Sequence, residues 1–211
     1  MGTALMHTGD LFQAEAQLQQ FLTIAAAVGK LRWFAGDALF NMAHLKRALG
    51  QGDHAALLFD EAAQAYEAAG RLGQVPGCTY EIGWGLVLAG SSEKALPYLE
   101  TASSALPESD EPELAVKLDI ARALHDSLIG ALERSNHTCR AVLTGHDVRP
   151  EQVADCEWIL GRNAVIMGDF VAAALHADSA YAAAVRYWWP PQLDRINALK
   201  AEIAGVTSMG R

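Results

Sequence analysis

The stretch Leu160-Gly161-Arg162-Asn163-Ala164-Val165-Ile166-Met167-Gly168-Asp169-Phe170-Val171-Ala172-Ala173 carries a small residue wherever two helices would have to come close. Gly161 removes a side chain so that a second backbone can approach. Gly168 suits the left-handed residue that ends a helix, and Asp169 can accept from the free amides of the next one. Ala173, Ala177 and Ala180 follow at i, i+4 and i+7, which is one face of a helix. The stretch predicts a helical hairpin.

The same pattern recurs along the chain. Turn-glycine sites fall at Gly9, Gly50, Gly90, Gly130 and Gly168, at intervals of 41, 40, 40 and 38 residues. Five positions after each glycine stand Ala14, Ala55, Ala95, Ser135 and Ala173, all small. Nine positions after each stand Leu18, Phe59, Leu99, Cys139 and Ala177, none of them charged. Agreement at several sites on one period is far more specific than any single motif.

Leu-Gly, an apolar residue, a turn Gly and an Ala five residues on resembles the signature of the tetratricopeptide repeat. The resemblance covers nearly the whole chain, in a long-helix variant of about forty residues instead of the usual thirty-four. That variant is similar to the repeats of large bacterial transcription regulators and of receptors for signalling peptides. It implies an all-α fold: a right-handed α-solenoid of about five tetratricopeptide-like hairpins plus a C-terminal capping helix, one domain over residues 1–211. Fold follows from such a likeness, whereas activity does not.

Composition bounds the function. The hydrophobic fraction of 51% is ample for a core, and the net charge of −9 opposes direct nucleic-acid binding, which needs clustered Lys and Arg. Residues 1–10 lack the cationic start and apolar run of a signal peptide. The longest apolar region, residues 164–185, is broken by Asp169, His176 and Asp178, so no membrane role is expected. Three cysteines without a CxxC pair fit a reducing cytoplasm.

Along the chain, residues 1–8 supply only the end of a first helix, which reads as a piece of a longer protein. A helix over 10–28 follows, with Asp10 and Gln13 as a capping box. Repeat two spans 31–70, where Ala43 is the close-contact residue and Lys46 departs from the apolar residue usual in the family. Repeat three opens with a short helix at Pro76, with Gly83 as its close-contact site and Ser91 or Ser92 as the cap of its second helix. Residues 107–112 read as a loop. In repeat four, a shift of two residues from strict spacing buries Ala121, Leu124 and Leu128 and turns Asp119, Arg122 and Asp126 onto one face. Residues 187–191 end the second helix of repeat five, a last helix covers 193–204, and the tail 205–211 reads as flexible.

Signals for catalysis are poor, and the chain reads as a non-enzyme without catalytic residues, cofactor or metal. Cys78 and Cys156 occupy a site where repeat two has Ala38, so small buried residues explain them. His137 and Cys139 form a lone His-x-Cys pair without the second pair that zinc requires. No nucleophile elbow, phosphate loop or zinc-protease motif is present.

The resemblance implies that first helices line a concave surface, at sites thirteen, ten, six and three residues before each turn glycine. Those sites are Asp37, Phe40, His44 and Arg47 in repeat two, Gly77, Tyr80, Trp84 and Val87 in repeat three, and Asp155, Trp158, Arg162 and Val165 in repeat five. Trp33 lies one turn earlier, and Asp119, Arg122 and Asp126 are further candidates in repeat four. Trp, Tyr and Arg are the usual anchors of interfaces, so the expected function is binding of a protein or peptide segment. Such a module would be the sensor or effector part of a bacterial transcription or signalling regulator. A small-molecule sensor, using a notch at Gly73 and Gly77, and a self-assembling scaffold that forms homo-oligomers are the alternatives.

Overall fold

The computed structural model describes residues 11–28, 34–145, 147–187 and 190–209, and the described residues form α-helices and two short 3-10 turns, with no strand among them. The helices are α1 (Leu11–Ala27), α2 (Ala35–Ala48), α3 (Gly52–Ala68), α4 (Val75–Leu88), α5 (Ser92–Ser104), α6 (Leu114–Leu128), α7 (Leu132–Leu143), α8 (Pro150–Ile166), α9 (Phe170–Tyr187) and α10 (Pro190–Met209). The chain divides into two compact units, Met1–Leu118 and Asp119–Arg211, with the division falling inside α6. In the first, α1 to α4 each pack on the helix that follows; in the second, α7 to α9 do the same and α10 also reaches α8.

The turns form for a local reason. Gly50, Gly90, Gly130 and Gly168 all adopt positive φ, between 75° and 81°, where a side chain would be strained. At each, the following residue donates its N–H five residues back: Gln51 to Lys46, Ser91 to Leu86, Ala131 to Asp126 and Asp169 to Ala164. This bond satisfies a carbonyl left over at the end of the preceding helix. The same geometry recurs at Gly70, where Arg71 donates to Tyr66. Gly9, Trp33 and the Asp10 capping box lie outside the described residues.

Small residues meet neighbours where the period requires. Ala14, Ala55, Ala95, Ser135 and Ala173 are buried, as are Leu18, Phe59, Leu99, Cys139 and Ala177. A Cβ on Gly83 would lie 2.8 Å from Leu99 Cδ2, and one on Gly161 would lie 3.0 Å from Leu199 Cδ2 and 3.3 Å from His176 Cβ. Lys46, the departure from the family pattern, bonds Glu15 of α1 at 2.6 Å.

Some local expectations are corrected. Neither Ser91 nor Ser92 caps α5 with its hydroxyl; the Ser91 carbonyl accepts from Lys94 and Ala95, while Ser92 is buried. Asp169 does cap α9, accepting from the Ala172 N–H at 2.9 Å. Helix α4 is not short: its 14 residues equal those of α2. The last helix begins at Pro190, a residue suited to a first helical turn, and continues to Met209, so residues 205–209 are helical. No described helix is long and apolar enough to cross a membrane.

Candidate functional site

In the first unit, the first helices of successive hairpins bring together a set of charges. Arg47 of α2 donates to Glu81 Oε2 of α4 at 2.6 Å and lies 2.9 Å from His44 Nδ1. The guanidinium also stands 5.6 Å from the centre of the Phe59 ring, whose face attracts the cation. Lys117, at the start of α6, bonds Glu111 and stands 5.9 Å over the Tyr80 ring. Asp37 accepts from Tyr66 Oη at 2.8 Å and from Arg71 Nη1 at 2.9 Å. Its carboxylate therefore ties α2 to α3 and to the turn beyond it.

Burial sets the protonation of this cluster. Glu81 is 5% exposed, and burial alone would raise its pKa, but Arg47, His44 and Lys117 outweigh that and hold it down at about 2. His44 is lowered to about 4 by burial, with Arg47 and Lys117 adding to the effect and Glu81 opposing it. At neutral pH the pair is thus a carboxylate beside an uncharged imidazole. Burial, followed by the bond to Asp37, raises the Tyr66 phenol well above its ordinary value.

The rings assigned to the concave face are mostly packed. Tyr80 and Trp84 are 5% and 6% exposed and stack with ring centres 6.5 Å apart. Phe40 is half-buried, meeting Phe59 edge to face at 5.3 Å. The notch at Gly73 and Gly77 is filled: a Cβ on Gly73 would strike the Asp110 carboxylate at 2.3 Å, and one on Gly77 would meet Glu111 Oε2 at 3.0 Å.

In the second unit, Asp155 of α8 accepts from Gln192 Nε2 at 2.7 Å and Arg195 Nη2 at 2.8 Å, both on α10. Arg195 lies 5.0 Å over the Trp158 ring, and Trp158 also packs on the alanine-rich core of α8 and α9. Burial lowers the Arg162 pKa, with Glu202 opposing the shift, and Arg162 donates to Ser127 Oγ at 3.1 Å. Asp119, Arg122 and Asp126, at i, i+3 and i+7, lie along one side of α6 but differ in exposure. Asp119 and Arg122 are exposed and 3.7 Å apart, whereas Asp126 is 7% exposed and gripped by two nitrogens of Arg134 at 2.5 and 2.6 Å. Ala121 and Leu124 are buried, and Leu128 is half-buried.

Three features are absent from the sequence reading: Glu81, the pair of Lys117 and Glu111, and a buried polar knot. Glu81 is the one charged residue of the otherwise apolar α4, and that isolation was its available signal. Lys117 and Glu111 had none, since only the packing of α6 brings them near α4. The third is a buried polar knot around Asn163, whose Nδ2 donates to Ser135 Oγ at 2.9 Å and Asn136 Oδ1 at 2.8 Å while its Oδ1 accepts from Ser127 Oγ at 2.5 Å. Ser135, counted as merely small, also donates to the Ala123 carbonyl at 2.7 Å.

The cysteines lie in the core. Cys78, Cys139 and Cys156 are free and buried. Burial pushes the Cys78 thiol up to about 12, and a hydrogen bond with Cys139, ahead of burial, raises that of Cys156. Thiols so disfavoured as thiolates are poor nucleophiles. Among the described residues no three His, Cys, Asp or Glu side chains converge as a metal site would need. His176 bonds Glu157 at 2.6 Å.

No model of a protein family, no curated protein and no solved structure matches this chain.

Proposed function

We propose that the chain is a binding module of tetratricopeptide-like hairpins, stacked as a right-handed solenoid, that holds a peptide or protein segment against its first helices and performs no chemistry. The observation that carries this reading is the set of partly exposed groups on α2 and the start of α6, the charged Asp37, Arg47 and Lys117 with the neutral His44, set against the buried rings of Phe59, Tyr66 and Tyr80. A charged surface fixed by buried aromatic residues is preorganised, and preorganisation lowers the ordering cost of binding. The rings then support the face instead of serving as its exposed anchors, and the charges set the direction of the bound segment. The fit to a regulator's sensor or effector part rests on the resemblance alone.

The test is selection of binders from a random peptide library, followed by calorimetric titration of the best peptide into the full chain and its Asp37→Asn and His44→Gln variants. At least one variant should bind about tenfold more weakly, a loss of roughly 1.4 kcal/mol, with its helical circular dichroism unchanged. Equal affinity for all three proteins would refute the face.

A further inference from the structure

In the first unit a cavity of about 270 Å³ opens between the turn joining α2 to α3 and the last turns of α4, sharing Arg47 and Glu81 with the charge cluster. Phe59, Ile82 and Leu86 give it an apolar wall, and Arg47, Glu81 and Asp53 supply its charges. Gly85, in α4, leaves part of this space unfilled. A glycine inside a helix is less favourable than alanine, and Gly83 has a visible reason, the approach of Leu99. At Gly85 a Cβ would find nothing within 4 Å. What a side chain there would fill is the cavity itself.

We propose that this cavity binds a small organic cation, an ammonium group on a compact apolar body of roughly ten non-hydrogen atoms, the size judged from a 150 Å³ cavity holding benzene. Charge selects the cation. Arg47 is already matched by Glu81, while Glu81 Oε1 has His44 Nε2 only at 3.8 Å, beyond hydrogen-bond distance. His44, lowered to about 4, adds no positive charge at neutral pH, and Lys117, whose charge also acts on Glu81, is bonded to Glu111 and does not line the cavity. The start of α3 would favour an anion, but Asp53 in its first turn already supplies that negative charge. The lining is therefore net negative, as is the whole chain at −9. An ammonium can meet Glu81 or Asp53, each of which lines the cavity, while an aryl or alkyl body covers Phe59 and Leu86.

The inference does not depend on the peptide-binding face. Its probes are 2-phenylethylamine, 2-phenylethanol and phenylacetate, which share a skeleton and differ in charge, titrated by calorimetry into the full chain and its Gly85→Leu variant. The amine should bind at least tenfold more tightly than the other two. Gly85→Leu should lose at least tenfold in amine affinity without a fall in melting temperature, since the new side chain fills open space and favours the helix. No saturable binding at millimolar amine, a preference for phenylacetate or phenylethanol, or undiminished binding by Gly85→Leu would each overturn the proposal.

Discussion

His44 is the residue through which acid should first be felt. Its folded pKa of about 4 lies below the ordinary 6.5, so between those values the unfolded chain binds a proton that the folded chain refuses. Stability therefore falls as pH drops from 6.5 to 4. Glu81 extends the loss downward: its stabilisation is complete above about 4.5 and disappears as pH falls toward 2. Thermal melts of wild type and His44→Gln from pH 7 to 4 should converge as the pH falls, because the variant lacks the first of these losses; parallel curves would contradict the assignment. Asn163 offers a separate test. Asn163→Ala leaves Ser127, Ser135 and Asn136 without that partner in a buried setting, where one unsatisfied group costs about 1–3 kcal/mol. A loss of about 3 kcal/mol or more in urea denaturation is expected. The sequence did not reveal these partners, because a polar residue's burial depends on what a distant helix sets against it. Ser135 looked like a small spacer, and nothing near Glu81 in the sequence foretold Arg47.

At the scale of elements the sequence was far more legible, because the signals are local. A glycine that must adopt positive φ, and an alanine five residues later that must lie against a neighbouring helix, are chosen by backbone geometry within one hairpin. Gly90→Ala should thus destabilise by about 1–2 kcal/mol from left-handed strain alone, there being no atom within 4 Å of its Cβ to clash with. Gly161→Leu acts differently, forcing bulk against Leu199 and His176, at about 1–3 kcal/mol or more. If chemical denaturation finds Gly161→Leu neutral, those helices do not meet as described. The errors at this scale have equally local causes. Residues 205–209 read as part of a flexible tail, but they continue α10, and one helical glycine, Gly205, costs too little to end it. The Ser91 cap failed because a carbonyl did the work expected of a hydroxyl.

For the whole molecule, helix content and the burial of small residues follow from the forty-residue period, whereas the binding surface does not. The rings chosen as anchors were read by register alone, and register cannot say whether a ring stands out or packs inward; Tyr80 and Trp84 pack inward. What remains on the first-helix face of the first unit is charge, in a chain of net −9. Nuclear magnetic resonance of the isotope-labelled chain, titrated with a library-selected peptide, tests this most directly. Amide shifts should move along α2, α4 and the start of α6, and the His44 imidazole signals should move with them. Perturbations confined to the outer residues of α3 and α5, such as Asp60, Gln64 and Glu100, would place the contact on the opposite side and contradict the account.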